Sequence, residues 1–183
     1  MEGEIKKVCI SFLIVAIIIL SGLGLNLSER AVRTEYLRIH IRADSNDSEA
    51  QAVKYAVKDA VINYLTPYIA ECDTREKAEK MLATCLKGVE EVTDRVLSAN
   101  GFTYKGRAEV KTEKFPTRFY GNLKLGAGEY RALIINLGSG EGDNWWCVVY
   151  PPLCFTGEKV GYVYKSKIKA VIDEFFSRKG EEY

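Results

Sequence analysis

The chain has 183 residues with 26 Lys+Arg against 25 Asp+Glu, a formal net charge of +1, and 47% hydrophobic residues. That balance excludes a disordered or collagen-like chain and removes the broad basic footprint of a nucleic-acid binder. It describes one ordinary globular domain behind a membrane-directed leader.

Residues 1–27 stand apart. Val8 to Leu25 carries no charge, and as a helix it would extend roughly 27 Å, enough for the hydrocarbon core of a bilayer. One reading is a signal peptide, with Lys6 and Lys7 before the apolar stretch and cleavage after Gly24. The other is a retained membrane anchor. Lys6 and Lys7 on one side face Arg30, Arg33 and Arg38 on the other, so charge does not fix an orientation. Residues 28–183 form the expected single extracytoplasmic domain.

In that domain Leu37, Ile39 and Ile41 alternate with Arg38, His40 and Arg42, the period of a strand with one buried and one solvated face. Ser48-Glu-Ala-Gln51 has capping-box spacing and opens an amphipathic helix that runs to about Pro67. Asp73-Thr-Arg-Glu76 opens a second helical region, which Gly88 divides in two and Asn100-Gly101 ends. Ala108 to Thr112, Tyr130 to Leu137 and Trp145 to Tyr150 read as strands, with a glycine-rich loop from Gly138 to Asn144 between the last two. A short last strand over Val160 to Tyr164 and a closing amphipathic helix through Ile168, Val171, Ile172, Phe175 and Phe176 complete the chain. Helices followed by strands predict an α+β domain with a mostly antiparallel sheet and amphipathic helices packed on it.

Cys72, Cys85, Cys147 and Cys154 belong to a domain expected to be exported, where disulfides persist. A helix over Asp73 to Leu86 sets Cys72 and Cys85 on the order of 20 Å apart, beyond disulfide reach. Cys147 and Cys154 flank a reversal at Pro151-Pro152, so the expected bridge is Cys147–Cys154, against the alternative of two small buried thiols.

Signals for chemistry are sparse. His40, the single histidine, reads as a solvated strand residue; no His-x-x-Glu-His or Cys-x-x-Cys spacing supports a metal or a Cys-His pair. The Gly138-Ser-Gly-Glu-Gly stretch leads into a strand rather than into a helix N-terminus, which argues against a phosphate cradle. Glu141, Asp143 or His40 would be the acid or base of a secreted hydrolase, a pattern of low specificity. Lys105, Arg107, Lys111, Lys114, Arg118 and Lys124 outnumber Glu109 and Glu113, and Phe115, Phe119 and Tyr120 lie among them. This stretch is a docking surface or a solvated strand face with core aromatics. Trp145 and Trp146 point to opposite faces of their strand, so one fills the core and the other needs a cover or a partner.

Several motifs together carry a resemblance. They are Leu37-Arg-Ile-His-Ile-Arg-Ala-Asp-Ser-Asn-Asp-Ser with the helix after it, Phe115-Pro-Thr-Arg-Phe-Tyr-Gly, Gly126-Ala-Gly-Glu-Tyr-Arg-Ala-Leu and Asn144-Trp-Trp-Cys-Val-Val-Tyr-Pro-Pro-Leu-Cys-Phe. The chain resembles the stage II sporulation protein R family over most of residues 36–155. The resemblance implies a signalling protein of endospore-forming bacteria rather than an enzyme, without cofactor or metal. Such proteins are made in the forespore and pass its membrane into the intermembrane space, where they are secreted or held by the N-terminal helix. There they activate a membrane-embedded aspartic protease of the mother cell, which cleaves a sigma-factor precursor. The expected partner-binding residues are Arg118, Phe119, Tyr120, Asn144, Trp145 and Trp146; membrane contact is expected through residues 8–25, and neither nucleic acid nor a small-molecule substrate is expected. The alternatives are a secreted cell-wall hydrolase and a membrane-tethered structural protein of the septum.

Overall fold

The computed structural model describes residues 10–21, 33–156 and 162–180. Contacts divide the chain into two units, Met1–Thr34 and Glu35–Tyr183. In the first, residues 10–21 are helical and the Ser21 hydroxyl donates to the Ile18 carbonyl at 2.9 Å. The ends of the expected membrane segment and the Gly24 cleavage position lie outside the described residues. Among the described residues no helix is long and apolar enough to cross a membrane.

The second unit runs β1 (Leu37–Arg42), α1 (Ser48–Ile69), α2 (Arg75–Ala99), β2 (Gly106–Phe115), β3 (Arg118–Tyr120), β4 (Leu123–Leu125), β5 (Gly128–Leu137), β6 (Asn144–Tyr150), a 3-10 turn at Leu153–Phe155 and α3 (Tyr162–Gly180). The α+β class stands. Four strands form one sheet in the order β2-β5-β1-β6, and β3 and β4 form a separate two-stranded sheet. The larger sheet is mixed, which corrects the expectation of a mostly antiparallel one: β1 runs parallel to β5 and antiparallel to β6, while β2 is antiparallel to β5. The cause is topological. After the two helices the chain returns as edge strand β2, β5 inserts between β2 and β1, and β6 pairs on the far side of β1.

The loop after β5 must therefore step across the end of β1. Gly142 N–H donates to the Ala43 carbonyl at 2.9 Å and Asp143 N–H to Asn46 Oδ1 at 2.6 Å. The crossing leaves no room for a side chain at Gly142, where a Cβ would lie 2.3 Å from the Ser45 carbonyl oxygen. Gly138, at φ +56°, turns against Asp44 in a left-handed conformation that suits glycine. The glycines of this stretch thus serve a strand crossing. Lys54 of α1, buried, ties it down by donating to Gln51 Oε1 at 2.6 Å and to the Asp143 carbonyl at 3.1 Å.

The helices follow their apolar periodicity with three local corrections. Asp47, not Ser48, is the N-cap of α1, and Gln51 reaches back to the Ser45 carbonyl at 2.8 Å. The helix runs through Pro67 to Ile69. Gly88 does not divide α2; an added Cβ there would lie 1.9 Å from the Tyr64 hydroxyl, so the glycine admits a ring from α1. Thr74 caps α2 by accepting from Lys77 N–H at 3.2 Å. Where a last strand is expected over Val160 to Tyr164, α3 begins at Tyr162, and residues 157–161 lie outside the described residues. The core joins Leu37, Ile39, Ile41, Leu133, Ile135 and Leu137 of the sheet to Val53, Val57, Val61, Leu65, Leu82, Val89 and Leu97 of α1 and α2. Phe175 of α3 closes one end against Tyr36 and Tyr150, at 5.5 and 5.8 Å between ring centroids.

Candidate functional site

Strand alternation turns Arg38, His40 and Arg42 to the side of β1 opposite Leu37, Ile39 and Ile41. The sequence predicts a solvated face there, but Arg38 is 0% and His40 3% exposed. Aromatic side chains and the β3–β4 hairpin cover them. The Arg38 guanidinium lies 4.2 Å from the Phe115 ring centroid, 4.8 Å from that of Tyr130 and 5.7 Å from that of Tyr120. Its Nη2 donates to the Tyr120 hydroxyl at 2.6 Å. Burial holds the guanidinium below its ordinary pKa, with Tyr120 opposing the shift and Arg118 adding to it.

His40 is gripped at both ring nitrogens, Nδ1 by Glu113 Oε1 at 2.7 Å and Nε2 by Asn144 Oδ1 at 2.6 Å. Its ring stacks on Trp146 with centroids 5.3 Å apart and meets Phe115 edge-on at 5.7 Å. Arg42 shares Glu113, donating from Nη2 at 2.7 Å, and reaches Asn136 Oδ1 at 3.2 Å. Burial lowers the His40 pKa against the Asn144 and Glu113 hydrogen bonds, which raise it, and Arg42 adds to the lowering. A neutral ring donates from Nδ1 to Glu113 and accepts at Nε2, which requires Asn144 to turn its NH2 toward it.

A measurable pH dependence follows. With a folded pKa below the unfolded value near 6.5, the unfolded chain binds the proton first, so His40 contributes stability at higher pH that is lost as the pH falls through that window. Melting curves of the wild type should therefore fall more steeply below pH 6.5 than those of His40→Gln. Equal slopes, or a wild type that gains stability on acidification, would contradict the assignment.

Four of the six expected partner residues converge here. The Arg118 guanidinium lies over Trp146 at 4.0 Å, Tyr120 meets Arg38, and exposed Asn144 meets His40. Phe119 projects outward at 68% exposure with the Lys124 ammonium 6.0 Å from its ring. Trp145 faces the other side of the sheet, where Lys58 of α1 lies 5.9 Å from its ring. Cys147 and Cys154 are joined by a disulfide that links β6 to the 3-10 turn, while Cys72 and Cys85 are free and buried. Glu141 and Asp143 are exposed on the crossing loop, and no hydrogen bond among the described residues joins either carboxylate to His40. Of the basic run, Lys105 pairs with Asp94 at 3.4 Å and Lys111 with Glu109 at 2.6 Å. Sequence reasoning passed over Arg38, Arg42 and Glu113 as site residues; the alternation of acids along β2 was the one available signal.

The family model for stage II sporulation protein R matches residues 33–160, which include every strand of both sheets, both helices of the core and the whole of this face. Stage II sporulation protein R of Bacillus subtilis (strain 168) is 34% identical over 119 residues, 65% of this chain and 53% of that protein, so the match spans about half the relative's length. No solved structure matches. With the model covering well over half of the chain, this protein belongs to the stage II sporulation protein R family.

Proposed function

We propose that this chain is an exported messenger of endospore formation. In this reading it is made in the forespore, acts in the intermembrane space and activates a membrane-embedded aspartic protease of the mother cell, which then cleaves a sigma-factor precursor. It acts by binding, and it shifts the protease toward its active conformation through higher affinity for that state. Family membership supports the sporulation role. The observation that carries the binding role is the patch where Arg118 lies over Trp146 beside exposed Phe119. Tryptophan, tyrosine and arginine dominate interface energetics, and Phe119 extends the patch with an exposed ring on a short hairpin.

The test uses Arg118→Gln and Phe119→Ala. Phe119 is largely solvated, so its removal should change stability by no more than about 0.5 kcal/mol and leave exported levels intact. Precursor cleavage should fall by roughly tenfold, the effect of losing about 1.4 kcal/mol of binding. Normal cleavage in both variants would remove the patch from the interface.

The hydrogen-bonded Glu113–His40 pair favours one other reading, a secreted cell-wall hydrolase with His40 as base. That reading requires turnover of cell-wall material by the purified chain and its loss in Glu113→Gln.

A further inference from the structure

Arg38 is buried with its charge uncompensated. One of its nitrogens meets a neutral hydroxyl, while Nε and Nη1 have no partner among the described residues. The guanidinium cannot shed its proton at physiological pH, and a buried cation without an anion costs several kcal/mol. Aromatic faces offset part of that cost. Glu113, an acid on this face, is already engaged by His40 and Arg42.

Two independent observations point the same way. The Trp146 indole N–H is buried and without a partner among the described residues. Arg118, stacked on that indole and two residues before Tyr120 on β3, whose hydroxyl meets Arg38, forms no ion pair with any described residue. Two guanidinium groups and an indole N–H therefore lie on one aromatic-walled face whose acid, Glu113, is engaged by His40 and Arg42.

We propose that Arg38, Arg118 and the Trp146 indole N–H form a receptor for a carboxylate, supplied by an acidic side chain of the partner's extracytoplasmic segment, with Tyr120 as its displaceable stand-in. The partner's part in this rests on the messenger reading above. The Tyr120 hydroxyl occupies the position on Nη2 that a carboxylate oxygen takes in an arginine pair. Tyr120 sits on a hairpin that pairs with no strand of the main sheet, and two short strands alone are marginally stable. A cavity of about 380 Å³, lined by Tyr120, Asn122, Leu123, Leu153 and Phe176, gives its ring somewhere to go.

The experiment follows the indole N–H of Trp146 and the Nε–H of Arg38 by NMR in the full chain held in zwitterionic detergent. The probes are N-acetyl-Gly-Glu-Gly-amide, its Gln counterpart and inorganic phosphate. The glutamate peptide should shift both signals saturably while the Trp145 indole stays still, and the Gln peptide should bind at least about tenfold more weakly. Arg118→Gln should weaken the glutamate peptide severalfold. Tyr120→Phe should tighten it, because the competing hydroxyl is gone, a gain that a purely structural tyrosine would not give. Equal response to the Gln peptide, response to phosphate alone, or no saturable shift would overturn the proposal. Peptide binding by a chain that fails to trigger precursor cleavage would leave the carboxylate site standing and remove the messenger reading. Chain-dependent cleavage without peptide binding would do the reverse.

Discussion

Ile39→Ala is expected to lower the free energy of unfolding by about 3 kcal/mol. Ile39 has no exposed surface and sits in β1, an inner strand of the sheet, opposite Leu133 of β5 and Cys147 of β6. It lies in the same core as the apolar residues of α1 and α2. Truncation removes three carbons and leaves a void that neighbours in two layers cannot both close. A domain of this size is typically stable by about 5–15 kcal/mol, so the variant would retain the fold with a much reduced margin. Urea unfolding checks this: the midpoint should drop with an unchanged slope. A loss below about 1 kcal/mol would place β1 at the margin of the core.

Arg38→Met should act in the opposite direction and raise stability by about 1–2 kcal/mol. Methionine fills the aliphatic part of the same volume, keeps favourable sulfur contact with Phe115 and Tyr130, and removes a charge that burial disfavours. The opposing effect is the lost cation–π contact, about 2 kcal/mol when desolvated, which is smaller than the desolvation of an uncompensated guanidinium. The same variant should lose response to a carboxylate ligand. A stabilised chain that no longer responds to the carboxylate would show that Arg38 serves binding, whereas destabilisation by about 2 kcal/mol or more would show the aromatic contacts to be its role.

The contrast between these two neighbours on β1 shows what the sequence made legible. Alternation placed Leu37, Ile39 and Ile41 in the core, because a two-residue period is local. The same alternation assigned Arg38 and His40 to solvent, and here it failed. The cover over them comes from Phe115, Tyr120 and Trp146, some 75 to 106 residues away in the chain, and no local pattern reports a roof built at that distance. For the same reason Glu113 was read only as an acid within a basic run; its role as partner of both His40 and Arg42 depends on β2 and β1 sharing a face across β5.

Helix starts were legible at Thr74, where the cap is a side chain three residues from its target, and less so at Ser48, where the chain shifts the cap by one residue to let Gln51 hold the Ser45 carbonyl. The parallel pairing of β1 with β5 was not legible, since it follows from the insertion of β5 between β2 and β1. The glycine-rich stretch was correctly read as a strand-to-strand loop, but the crossing over β1 that demands Gly142 appears only once the strand order is known.

Reconstitution distinguishes a messenger acting on a protease from a chain with no part in precursor cleavage. The full chain is co-expressed with the membrane-embedded aspartic protease and the sigma-factor precursor, its export is verified, and precursor cleavage is followed with and without it. Cleavage is expected only when the exported chain is present, and it should fall when Arg118 and Phe119 are replaced. Cleavage that proceeds equally without the chain, or none despite verified export and a matched protease, would refute the messenger reading.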